Sequence, residues 1–280
     1  MTNLSAISAK NPILLMGCGK MGSAMLAGWL EQGLDTGAIY IVDPFLEPIR
    51  NTFSKLKDNH LHESVKSLPA KISPSFIIMA VKPQMMDEAL KALSIYDISK
   101  AVILSVAAGK TIHYFEDQLN IKQPIIRAMP NTPAAIGKGI TVCTANKLVS
   151  DDQKNICTTL LETVSVVEWI DDESLMDAVT ALSGSGPAYV FYMVEAMAAA
   201  GESIGLSEEL SKKLARHTVS GAGALLEASD EEVSQLRINV TSPGGTTAAA
   251  LDVLMSDEGI AKIMRRAMQD AKARSKELAG

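Results

Sequence analysis

The chain has 280 residues, 47% of them hydrophobic and 21% charged, which is enough apolar material for packed cores and too little charge for disorder. Its formal net charge of −6 argues against a binder of phosphate backbones, which needs a basic face to displace counterions, and an aromatic content of 4% offers few platforms for stacked bases, so composition speaks against nucleic acid as the main partner. Cys18, Cys143 and Cys157 are odd in number and far apart, with neither a CxxC pair nor metal-ligand spacing, as expected in a reducing cytoplasm.

The first twelve residues, Met1 to Pro12, are polar and lack the apolar core of a signal peptide. No run approaches the ~20 apolar residues that a membrane helix needs. The expected location is therefore cytoplasmic. Short β-rich runs follow at 13–16, 39–42, 76–81, 101–106, 125–129, 140–144 and 164–169. The first four lack polar alternation, which predicts strands buried on both faces of a parallel sheet. Helix-like segments at 23–32 and 85–93 lie between them, and a helix-like connector occupies 145–160. Strand–helix–strand order predicts a doubly wound, mostly parallel α/β sheet over residues 1–170. From about residue 171 the runs of β-formers cease. Ala, Met and Leu recur at helical spacing through 187–205, 208–229, 246–255 and 257–278, predicting an all-α domain over 171–280 whose Ala- and Gly-rich faces let helices approach closely.

Gly17-Cys18-Gly19-Lys20-Met21-Gly22 directly follows the first strand, with a helix expected to open at Ser23. In a Rossmann-like dinucleotide fold, Gly17 makes the tight turn, Gly19 lets the backbone approach the pyrophosphate, and Gly22 packs helix against strand. The anion then faces the helix N-terminus. Asp43 ends the second strand, where an acid bonds the adenosine ribose and disfavours a 2′-phosphate. Asp43-Pro44 also reads as the start of a loop, and Lys20 and Arg50 supply positive charge, so both NAD and NADP stay open.

Ligands of such sheets bind beyond the carboxyl ends of the strands. Those ends carry Ala80-Val81-Lys82-Pro83-Gln84, Ser105-Val106-Ala107-Ala108-Gly109 and Arg127-Ala128-Met129-Pro130-Asn131-Thr132-Pro133. Lys82 reads as a structural cap in preference to a catalytic acid. The prolines fix a turn that holds the Asn131 amide toward a nicotinamide, or form an ordinary loop. In the helical half, Ser183-Gly184-Ser185-Gly186-Pro187 suits either a ligand border or a helix start at a close crossing. Thr241-Ser242-Pro243-Gly244-Gly245-Thr246-Thr247 leads into Ala248-Ala249-Ala250, a helix start with threonine expected as the cap. Such an end suits a small carboxylate. His60 and His62 read as a solvated loop, His113 and His217 are isolated, and Arg265, Arg266, Lys272, Arg274 and Lys276 read as a solvated helix face. No metal site is expected.

Taken together, segments 17–22, 80–84, 105–109, 127–133, 182–189 and 240–247 resemble the pyrroline-5-carboxylate reductase family, in family order and over nearly the whole chain. The resemblance implies reduction of 1-pyrroline-5-carboxylate to L-proline with NADPH or NADH, the last step of proline biosynthesis. It also implies a homodimer interlocked through the helical domains, in the family often assembled further into decamers. Carried over by position, the nucleotide contacts are Gly17, Gly19, Lys20, Met21, Gly22, Ala80, Val81, Lys82, Pro83, Val106, Ala107 and Ala108, with Asn131 near the nicotinamide; Asp43 joins them on its spacing after the glycine loop alone. The substrate carboxylate falls to Ser242, Gly244, Gly245, Thr246 and Thr247, with Glu173 and Asp230 as further substrate acids. Thr247 stands nearest the ring nitrogen and is the catalytic candidate. Many members carry a neutral or basic residue at the position of Asp43, and residues 60–74 match poorly.

Two other readings compete. A β-hydroxyacid dehydrogenase shares this domain order but needs a side chain to move the alcohol proton, commonly a Lys with Asn four residues later. At that spacing Lys212 is followed by Arg216 and Lys213 by His217. A non-catalytic NAD(P) sensor leaves the 241–247 loop without a task.

Overall fold

The computed structural model describes Leu4 and residues 7–279; the reading of the first twelve residues falls partly outside these. The chain divides into two units, Met1–Gly184 with Lys272–Gly280, and Ser185–Ala271.

In the first unit the apolar runs pair into one eight-stranded sheet. Its strands are β1 (Ile13–Met16), β2 (Ile39–Val42), β3 (Leu61–His62), β4 (Phe76–Met79), β5 (Val102–Ser105), β6 (Ile125–Met129), β7 (Gly139–Ala145) and β8 (Ser165–Trp169), in the order β3-β2-β1-β4-β5-β6-β7-β8. Every pairing is parallel except β6 with β7. Met16 stands beside both Val42 and Met79, and Met79 beside Ser105, so β2, β1, β4 and β5 finish level at one edge. The helices are α1 (Lys20–Glu31), α2 (Leu46–Thr52), α3 (Met86–Leu93), α4 (Ile112–Leu119), α5 (Asp151–Leu161) and α6 (Met176–Val179).

The missing polar alternation has its expected cause. Ile13 and Leu15 pack with Met25, Trp29, Phe76 and Ile78 in one core, while Leu14 and Met16 pack with Ile77, Met79, Leu90 and Phe115 in the other. Successive side chains of a strand point to opposite faces, and both faces here are covered. Trp29 also donates its ring N–H to the Leu160 carbonyl at 2.9 Å, tying α1 to α5.

Several expectations are corrected. The first helix begins at Lys20, not Ser23, so Met21 and Gly22 lie within its first turn. The connector expected at 145–160 is helical only as α5. A two-residue β3 is too short to show a period, and α4 buries only Ile112 and Phe115 of its eight residues. His60 and His62 are buried rather than solvated. His60 Nδ1 lies 2.9 Å from the Ile39 carbonyl, and the two rings sit 4.7 and 5.9 Å from that of Tyr40. Burial holds the His62 imidazole below its ordinary pKa.

The first unit runs beyond residue 170, through α6 and a π-helical turn, Thr180–Gly184. Met176 and Ala181 are buried there, and Ser275 donates to Asp177 at 2.7 Å. The second unit is all-helical: α7 (Gly186–Ser203), α8 (Glu208–Ala228), α9 (Val233–Asn239), α10 (Thr246–Leu254) and the first part of α11 (Ile260–Ala279). At Gly201, α7 comes so near α8 that a Cβ would lie 2.9 Å from the Ser211 hydroxyl oxygen. Among the described residues of this unit only Ala198, Ser211 and Ala215 are buried, whereas Phe191, Tyr192, Val253 and Ile263 are largely exposed. No helix among the described residues is long and apolar enough to cross a membrane.

Candidate functional site

The level edge of the first unit's sheet gathers the glycine loop, Asp43 and the segments after β4 and β5. Gly17 adopts φ +90°, and a Cβ on it would lie 2.9 Å from the Ala80 backbone, so the turn admits only glycine without strain. Gly22 backs onto the same turn, where a Cβ would lie 2.3 Å from the Gly17 carbonyl oxygen. Gly19 is different: a Cβ there would meet nothing within 4 Å. It is the N-cap of α1, no side chain caps the helix, and no acidic residue occupies its first turn. The first-turn N–H groups of a helix have no intrahelical partner, so this opening suits an anion. A dinucleotide pyrophosphate therefore fits the residues present.

Side chains beneath the loop hold its shape. Ser23 donates to the Cys18 carbonyl at 2.7 Å, and the Cys18 amide donates to Asp43 Oδ2 at 2.7 Å. Burial pushes the Cys18 thiol up to about 11, which makes it a packing group rather than a nucleophile. Past β4, Lys82 precedes a short 3-10 turn, Pro83–Met85, and caps it through its carbonyl, which accepts from the Met85 amide at 2.8 Å; its side chain makes no cap bond. Past β5, the Ala107 amide donates to the Ser105 hydroxyl at 3.3 Å, leaving small side chains along Val106, Ala107 and Ala108.

Two expected ligand residues have structural partners. Asn131 Oδ1 accepts from the Ile140 amide at 3.0 Å, and its Nδ2 donates to the Ser183 carbonyl at 3.3 Å, so the amide braces the turn after β6. Glu173 Oε1 accepts from buried Arg127 and from the Ile112 amide, each at 2.9 Å, joining β6 to the start of α4. Sequence spacing does not reveal that pairing. An arginine inside an otherwise apolar strand was its one visible signal, since such a charge needs a partner.

In the second unit, Gly244 takes φ +71°, and the Gly245 amide closes a turn on the Ser242 carbonyl at 3.0 Å. The N-cap of α10 is Gly245 rather than a threonine, because Thr246 and Thr247 already have helical backbone. No side chain caps this helix, and Thr246 is exposed while Thr247 is half-buried. The turn thus offers free amides and hydroxyls to a small anion. Asp230 is exposed in the connection between α8 and α9. Lys212, which an alcohol-oxidising site of the dehydrogenase kind would need as its proton carrier, is exposed on α8 and paired with Glu208.

Residues 173–278 match the family described as pyrroline-5-carboxylate reductase dimerisation, and residues 12–109 match that described as NADP oxidoreductase coenzyme F420-dependent. Pyrroline-5-carboxylate reductase of Pseudomonas aeruginosa is 36% identical, over 95% of this chain and 96% of its own length. Among solved structures, that of pyrroline-5-carboxylate reductase from Coxiella burnetii superposes with a TM-score of 0.87 at 32% identity, covering 97% of this chain and 99% of that one. The pyrroline carboxylate reductase of Plasmodium falciparum, solved with NADP bound, gives a TM-score of 0.80 at 30% identity, covering 96% and 98%. With identity of this order over nearly the whole chain, the chain belongs to the pyrroline-5-carboxylate reductase family.

Proposed function

We propose that the protein reduces 1-pyrroline-5-carboxylate to L-proline, the closing step of proline biosynthesis, using the residues at its glycine loop and its 241–247 turn. The observation that carries this reading is the pair of uncapped helix starts behind glycine turns, one in each unit. The amides around Gly17, Gly19, Lys20, Met21 and Gly22 hold the pyrophosphate. Ala80, Val81, Lys82 and Pro83, with Val106, Ala107 and Ala108, present small or backbone surface to the rest of the nucleotide. When bound, NAD(P)H supplies the hydride that reduces the carbon of the C=N bond.

Ser242, Gly244, Gly245 and Thr246 take the substrate carboxylate, aided by the positive end of α10. The Thr247 hydroxyl accepts a hydrogen bond from the ring nitrogen and so favours its protonated form. A protonated imine is already an electrophile, so orientation carries the reaction and no histidine or lysine acid is needed at this turn. Asn131 and Glu173 act by bracing backbone. We assign residues 1–170 to nucleotide binding and 171–280 to substrate binding and dimerisation. Dimers assemble further into decamers in this reading, which rests on the family resemblance. The buried free thiols support work in the reducing cytoplasm.

The test is an initial-rate assay of NADPH and NADH oxidation with 1-pyrroline-5-carboxylate, with proline identified by mass spectrometry. Proline formed in step with cofactor oxidation is expected. Cofactor binding without turnover would point to a sensor instead.

A further inference from the structure

The end of β2 is organised around one carboxylate. Asp43 follows Val42 directly, and its own amide donates to the His62 carbonyl at 3.0 Å, continuing the β2–β3 ladder and fixing its backbone. Oδ2 accepts from the Cys18 amide in the glycine loop at 2.7 Å, and Oδ1 accepts from the Phe45 amide at 2.9 Å. A carboxylate has about four acceptor sites, so two backbone bonds orient the group and leave about two for hydroxyl donors. A vicinal diol such as the adenosine ribose matches that remainder, while a 2′-phosphate brings only acceptors and further negative charge.

The surroundings reinforce this. Arg50, on α2, is the cation nearest in sequence to Asp43 after the glycine loop, and its Nε donates to Asp58 Oδ1 at 2.9 Å. Glu47 and Glu63 add their negative charge around the same guanidinium. A phosphate monoester drawn to Arg50 would meet the charges of Asp58, Glu47 and Glu63 around the same guanidinium.

We infer that Asp43 is a specificity-determining residue that holds the two ribose hydroxyls of NAD(H) and makes the protein select NADH over NADPH. This rests on the dinucleotide reading of the glycine loop, and binding measurements separate the two. Calorimetric titration of the full-length protein with NAD+ and with NADP+ is expected to give a dissociation constant at least about tenfold lower for NAD+, and Asp43→Asn is expected to narrow that ratio by a similar factor. Equal or tighter NADP+ binding by the wild type overturns the assignment and places the 2′-phosphate on Lys20 or another cation, with the reductase reading intact. A ratio indifferent to Asp43→Asn in a variant that keeps its circular dichroism also overturns it. If that variant does not fold, the wild-type ratio decides alone. Binding of neither nucleotide removes the dinucleotide reading, and this inference with it.

Discussion

Thr247 illustrates how little side-chain chemistry the proposed reaction asks for. It stands half-buried in the first turn of α10, behind a turn whose Gly244 has φ +71°, and removing its hydroxyl leaves that backbone intact. Thr247→Ala is expected to lower kcat/KM on the order of a hundredfold, the usual scale for a hydrogen-bonding group that acts on the reacting atoms. The dissociation constant for the nucleotide, read by calorimetry, should not change. Wild-type turnover in the variant would take Thr247 out of the mechanism. Cys18 shows the converse case, a residue inside the motif whose thiol serves packing while its amide does the work of ordering Asp43.

Between elements, the Arg127–Glu173 pair is the contact that ties β6, the turn after β8 and the start of α4 together. The Arg127 side chain is 5% exposed and that of Glu173 28%, so the pair is shielded far better than Lys262–Glu258 at 55% and 79%. Exposed pairs contribute little, whereas stripping the partner from a buried charge costs several kcal/mol. Glu173→Ala is therefore expected to destabilise the protein by about 3 kcal/mol in denaturant unfolding, and Glu173→Gln by less, since it still accepts from the Ile112 amide. The KM for pyrroline-5-carboxylate should hold in both variants. A raised KM with unchanged stability would return Glu173 to the substrate, where family position alone had placed it.

At the scale of the whole molecule, the two units differ in how they are held. The first has two apolar cores, one on each face of its sheet, and satisfies itself. The second leaves Phe191, Tyr192, Val253 and Ile263 more than 60% exposed and has only small residues inside, Ala198 and Ala215 among them. A helical unit so poor in core gains most by burying those side chains against a second copy, in keeping with the dimerisation family that matches residues 173–278. Light scattering should give at least twice the 29.8 kDa of one chain, and the melting temperature should rise with protein concentration. A monodisperse single-chain mass would refute the dimer.

Much of this is legible in the sequence alone. Unbroken apolar runs mark strands covered on both faces, and the glycine spacing after the first of them marks a turn that tolerates no side chain. Both are local consequences of backbone geometry, so residues 13–16, 39–42 and 125–129 were placed to the residue. The α-helical character of the second half was equally visible in its spacing. What tertiary structure alone decided are the matters settled by partners distant in sequence. Those are the burial of His60 and His62 against Tyr40, the commitment of Asn131 to Ile140 and Ser183, and the capture of Glu173 by Arg127. A polar side chain in a sequence carries its chemistry but not its neighbours, and whether it faces a ligand or braces the fold depends on which donor or acceptor the chain folds against it.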